Sequence, residues 1–307
     1  MYSKMAASPV EAFKELGHEA YADIPKDIGQ NLNIVLGSSA YWDEVKNLPG
    51  ITIAWNHGVD WYRGFDTPGN IKIKSIYNNC SAIAYQSEFA RLMTWKAFGE
   101  RLGPIILNTS KPDFIAYPPR IDAGEIFIAT TAIWRMWKRL EQLELIIDFH
   151  NKNYGSPRWH LYVYGKDLKD KTIGDPTWIH YLGMSEKFEK YDQCLFYTQL
   201  SFNDYSPKTI GEAMARGLPV VATNSGGAKD IIGDSGIIIE CDPFITDPIN
   251  IYDERYLPKL DRDKVINSFQ EMLNNIRGFR SKTRDRVVSF ANAQQSAKQF
   301  LDLYASL

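Results

Sequence analysis

Asn203-Asp204-Tyr205-Ser206-Pro207-Lys208-Thr209-Ile210-Gly211-Glu212-Ala213-Met214-Ala215-Arg216-Gly217-Leu218-Pro219-Val220-Val221-Ala222-Thr223 reads, in order, as a loop, a helix, a glycine stop and a strand. Ser206 suits the N-cap, Pro207 the first helical position and Gly217 the helix end. A helix that opens toward the carboxyl ends of parallel strands presents free N–H groups and the positive end of its dipole, which makes it a place for phosphate. Asp204 precedes this helix and Glu212 lies inside it. Carboxylates at two depths suit a ligand with hydroxyls in two places.

Working outward, apolar runs bounded by turn residues recur over 126–130, 160–165, 178–183, 194–197, 219–223 and 236–240, with an amphipathic helix expected over 139–149. The tail from Arg262 has helical periodicity. Upstream, Ser8 and Pro9 open a helix that carries Val10, Phe13 and Leu16 on one face and stops at Gly17. A short strand is expected over 18–22. Further strands are expected over 33–37, 51–55, 81–85 and 105–107, with a helix over 87–98. Strand-helix alternation that stops and restarts predicts an α/β protein of two doubly wound parallel sheets. Residues 108–124 (NTSKPDFIAYPPRIDAG) lack periodicity and are rich in turn formers. The expected division is therefore an N-terminal domain over 1–120, a C-terminal domain over 121–285 and a closing helix over 286–307 that packs back on the first domain.

The 203–223 segment resembles the donor signature of the group 1 retaining glycosyltransferases of the GT-B fold. It matches at Asp204, at Glu212-Ala213-Met214-Ala215, at Gly217, at Pro219-Val220-Val221, at Thr223 and at Gly226-Gly227. The resemblance implies two Rossmann-like domains facing each other across a cleft. It also implies transfer of a sugar from a UDP- or GDP-sugar to an acceptor hydroxyl, with retention and without metal or other cofactor. Glu212 would bind the ribose hydroxyls and Asp204, where the family usually has Glu, the donor sugar. Backbone at Ser206, Pro207, Lys208 and Thr209 would meet the distal phosphate; the family often has Phe-Gly where Ser206-Pro207 stands.

Trp134-Arg135-Met136-Trp137-Lys138-Arg139 follows the first strand of the C-terminal domain, where the family carries an Arg/Lys pair that neutralises the leaving diphosphate. Arg135 and Lys138 are assigned that role, being three apart on an expected helix start. Arg139 is the weaker candidate for that role and reads otherwise as a solvated surface charge. Gly165 and Met184 resemble positions near the nucleotide base, or equally ordinary strand-to-loop turns. Gly226 and Gly227 either bring backbone close to a ligand or form a turn. In Trp55-Asn56-His57-Gly58-Val59-Asp60, His57 matches a cleft histidine and is assigned a catalytic place. The family opens with a strand and glycine-rich loop ahead of the helix that ends at Leu16-Gly17-His18-Glu19. This chain begins at that helix, so the N-terminal domain is expected to lack its usual first strand. That departure keeps open a second reading, a catalytically degenerate nucleotide-sugar-binding protein or subunit.

Composition limits the partners. The chain has 307 residues, a net charge of −2 and 44% hydrophobic residues. That is a globular balance without the basic excess that nucleic acid attracts. Cys80, Cys194 and Cys241 are widely spaced, which argues against a disulfide framework or zinc site and fits a reducing, cytoplasmic setting. No transmembrane segment and no secretion signal are expected. The expected partners are a nucleotide sugar and a carbohydrate, lipid-linked or other hydroxyl acceptor.

Overall fold

The computed structural model describes residues 8–21, 32–36, 49–62, 64–108, 110–115, 124–167, 173–185, 189–240, 242–243, 247 and 249–307. The chain divides into two compact units. One comprises Met1–Lys111, Ile245–Asn250 and Ala291–Leu307, and the other Pro112–Phe244 and Ile251–Phe290.

In the first unit, β1 (Leu32–Leu36), β2 (Ile51–Asn56) and β3 (Ala82–Tyr85) form a parallel sheet in that order. The 105–107 segment is not a full strand: it joins β3 only through a bridge between Tyr85 and Ile105. Helix α1 (Ser8–Glu15) is followed by no strand over 18–21, contrary to expectation, and Ala22 lies outside the described residues. The His18 N–H bonds Phe13 O and closes the helix end. His18, Glu19 and Tyr21 are exposed, so the segment has no sheet to join.

Helix α2 (Pro68–Asn79) was not anticipated. Thr67 caps it by accepting the Asn70 N–H at 3.1 Å, and Pro68 opens it. Helix α3 (Glu88–Phe98) fills the span expected for it, and Ser87 is its cap. The last helix, α9 (Ala293–Ala305), packs on α1 through Ala12, Ala293 and Ala297, and its Phe300 meets Trp55 edge-on at 5.2 Å.

The second unit holds β4 (Glu125–Ile133), β5 (Arg158–Lys166), β6 (Ile179–Gly183), β7 (Phe196–Gln199), β8 (Val220–Thr223) and β9 (Ile237–Ile239). All pair in parallel, in the order β6-β5-β4-β7-β8-β9. The connecting helices are α4 (Leu140–Asn153), α5 (Lys208–Ala215) and α6 (Ala228–Ile232), followed by α7 (Arg262–Asn274) and α8 (Ile276–Ser289).

The core follows from strand alternation. Ile126 and Ile128 of β4 share a cluster with Trp159, Leu161 and Val163 of β5, with Leu143 and Ile147 of α4, and with Phe269 and Met272 of α7. Each such fully buried side chain contributes about 1.5–3 kcal/mol. Strand order reverses direction between β4 and β7, and the carboxyl ends of strands at such a reversal are where open α/β sheets bind ligands. Among the described residues, no helix is long and apolar enough to cross a membrane.

Candidate functional site

Two loops meet at the reversal point. The first leaves β4 and becomes a single 3-10 turn, Met136–Lys138, instead of the expected helix start. Arg139 ends that turn with φ +56° and passes directly into α4. For a non-glycine residue such a backbone costs on the order of 1 kcal/mol, and something must hold it. The holder is a buried ion pair. The guanidinium lies against Asp242 at 2.7 and 3.0 Å, both side chains are fully buried, and the cation sits 5.2 Å from the Phe202 ring centre. The expectation of a solvated Arg139 is therefore wrong. The left-handed residue turns this side chain inward under the loop.

The second loop leaves β7. Asn203 takes φ +49°, and Asp204 pairs through its backbone with Gly226, whose φ is +83°. A Cβ on Gly226 would lie 2.2 Å from the Asp204 carbonyl oxygen, so only glycine fits there. Gly227 N–H donates to that same oxygen at 2.8 Å. Gly226 and Gly227 thus hold the Asp204 backbone in place. Ser225 ties the two loops together: its hydroxyl donates to Asp242 at 2.7 Å and accepts the Asn203 N–H at 3.2 Å.

On this frame the Lys138 ammonium donates to the Asp204 carboxylate. Gln199, the last residue of β7, donates to the same carboxylate at 3.2 Å. The Gln199 amide oxygen accepts from the Thr209 hydroxyl at 2.7 Å and from the Tyr197 hydroxyl at 3.2 Å. Gln199 was missed from sequence; its one signal is a polar residue that closes a buried apolar strand.

Helix α5 starts one residue later than expected. Pro207 is its cap residue and Lys208 its first member, and no side chain caps it. Proline has no N–H, so Pro207 cannot donate to a phosphate, which corrects that part of the assignment. The first N–H groups of α5 lack intrahelical partners by construction. The Ser206 hydroxyl is buried and, among the described residues, has no hydrogen-bond partner. Glu212 is half-buried, and burial pushes its carboxyl above the ordinary value, with Lys208 one turn earlier opposing. No hydrogen bond to this carboxylate occurs among the described residues, which leaves it an acceptor suited to hydroxyl donors.

Arg135 is exposed, with its guanidinium 5.4 Å from the Trp137 ring centre. Gly165 has φ +127°, and a Cβ there would lie 1.8 Å from Ala132 O, so the close approach of β4 and β5 already requires glycine. Met184 follows β6 and is 62% exposed. His57 belongs to the first unit, where Gln86 Nε2 lies 2.7 Å from its Nε2 and Trp55 packs edge-on at 6.1 Å.

Residues 128–247 match the family of group 1 glycosyl transferases. No curated protein matches the chain by sequence. Among solved structures, TarM, known from S. aureus, is 18% identical with a TM-score of 0.64, the match covering 97% of this chain. The chain spans only 58% of TarM's length. A glycosyltransferase from Rickettsia africae is 15% identical with a TM-score of 0.65, over 99% of this chain and 94% of that one. HepE from Anabaena, solved in complex with UDP, is 14% identical with a TM-score of 0.63, over 90% and 79%. At such identities the likeness establishes the fold. The segment that matches the group 1 glycosyl transferases carries Lys138, Asp204 and Glu212, and the two parallel-sheet units have the fold of these GT-B structures.

Proposed function

We propose that the protein transfers a sugar from a nucleoside-diphosphate sugar to an acceptor hydroxyl, with retention of configuration and without a metal ion. The observation that carries this reading is the pairing of Lys138 with Asp204 at the β4/β7 reversal, with the Glu212 carboxylate, which accepts no hydrogen bond among the described residues, on the adjoining helix. Lys138 would move from Asp204 to the diphosphate and stabilise the charge that grows as the sugar–phosphate bond opens. The first N–H groups of α5 and the Ser206 hydroxyl would add donors to the same phosphate. Glu212 would accept from the ribose hydroxyls, and Asp204, released from Lys138, from the donor sugar. Retention would follow from same-face transfer: the acceptor oxygen bonds the anomeric carbon as the diphosphate leaves, and the leaving oxygen takes the acceptor proton. HepE's complex with UDP supports a uridine donor, and GDP-sugars remain in the panel.

The test is turnover of a UDP- and GDP-sugar panel with and without chelator. Sugar transfer that survives chelation supports the reading, and a strict need for manganese or magnesium contradicts it. Binding without turnover on any donor would instead favour the degenerate, donor-binding reading.

A further inference from the structure

At the opposite end of the second sheet lies a cavity of about 280 Å³. Leu218 stands just before β8 in its wall, and Arg280 reaches the carbonyl of Leu195, just before β7. These are the amino ends of the strands, whereas the Lys138–Asp204 cluster lies beyond their carboxyl ends. The lining is Ile115, Arg216, Gly217, Leu218, Arg280, Ser281 and Arg284, all of the second unit.

Three arginines lining one small space call for explanation, because like charges in a sheltered setting repel. Arg284 is held in place: it donates to Ile115 O at 2.9 Å, and its guanidinium lies 4.8 Å from the Phe114 ring centre. Burial, and then the charge of Arg284, push the Arg280 pKa below the ordinary value. Arg216 has acid partners, Asp113 and Asp192 (the latter at 2.6 Å), but both carboxylates are mostly exposed. The buried Nε of Arg216 has no hydrogen-bond partner among the described residues. Gly217, also in the lining, takes φ +85°, a backbone that favours glycine, and so adds no side chain to the cavity wall.

We propose that this cavity is a second binding site, for a phosphate monoester. A dianion fits a space lined by three arginines better than a single carboxylate does, because it offers three acceptor oxygens and two charges. Ile115 and Leu218 supply an apolar wall for the organic part, and the volume suits a ligand of a few carbon atoms. The site is independent of the donor nucleotide, being built from α8 and the α5–β8 turn.

Calorimetric titration of the full chain with glycerol 3-phosphate, and separately with inorganic phosphate, tests this. Saturable binding of glycerol 3-phosphate is expected, and tighter binding of that ester than of inorganic phosphate assigns the organic wall a part. Arg280→Gln should weaken it by about tenfold or more. Because an arginine variant can also disturb folding, Ser281→Glu is the second probe: Ser281 is exposed on α8, so the change is mild for the fold yet places a carboxylate at the rim. It should abolish binding with an unchanged melting temperature. Lys138→Ala should leave binding intact. The proposal is overturned if the parent does not bind the ester, if it binds inorganic phosphate at least as tightly, if Ser281→Glu binds as the parent does, or if Lys138→Ala removes the binding.

Discussion

Lys138 and Arg139 are neighbours in sequence, yet the regions they enter differ in kind. Lys138 and Asp204 are part-buried and keep 15% and 21% of their side-chain area exposed. Arg139 lies beneath the loops with Asp242, and both side chains are sealed from water. An ion pair that water can still reach is held less firmly than a sealed one and can exchange for a ligand. A sealed pair cannot be opened cheaply, because either charge left alone is strongly penalised. The difference teaches a division of labour: the buried pair fixes the two loops, and the accessible pair remains free to trade partners.

The largest effect that could break this comparison is on stability. Asp242→Ala strands a buried guanidinium and should cost about 3–5 kcal/mol in denaturant unfolding. A loss below about 1 kcal/mol, the range of an exposed pair, would mean that the two pairs are alike.

Next in size is the exchangeable pair. Lys138→Ala should leave the protein folded and lower kcat by about 10²–10³-fold, the usual cost of one preorganised donor. It should raise the donor KM far less, as for a contact that strengthens in the transition state. Arg135→Ala should cost less than Lys138→Ala, since Arg135 rests over Trp137 and not on Asp204. Equal losses at 135 and 138 would show that both cations reach the diphosphate.

The smallest effect concerns pH. Burial holds the Glu212 carboxyl above its ordinary value near 4.5, so the folded chain keeps that proton to higher pH than the unfolded one. The resulting stability is fully present below the ordinary value and is lost as pH rises through the raised one. Glu212→Gln removes the dependence. Its melting temperature should match or exceed the parent's near neutrality, and the difference should shrink below about pH 4. A variant that is less stable near neutrality than in acid, relative to the parent, would mean that Glu212 is stabilised by a partner in the folded protein.

What could be read in advance depended on how local the cause was. The alternation of short apolar runs gave both parallel sheets, since a strand buried on two faces shows that in its own residues. The stop at Gly217 and the helix over 87–98 were legible for the same reason. Arg139 was not: its burial follows from a single left-handed residue and from an aspartate far along the chain, and a spacing of three implies a shared face only within a helix. Gln199 was hidden because its partners Thr209, Tyr197 and Asp204 come together only when the loop folds back over β7. Thr67-Pro68 did signal α2, but the helix lacks a strong apolar face and the periodicity passed over it.

The central claim is that Lys138 and Glu212 address opposite ends of one nucleotide. It is tested most directly by calorimetry with whichever of UDP and GDP the parent binds, set against the nucleoside that lacks phosphates. Glu212→Gln should weaken both ligands by similar factors, up to the roughly 1.5–3 kcal/mol of charged hydrogen bonds, because both carry the ribose hydroxyls. Lys138→Ala should weaken the diphosphate alone. If folded Glu212→Gln binds both ligands like the parent, or Lys138→Ala weakens the nucleoside as much as the diphosphate, the two residues do not divide the nucleotide between them.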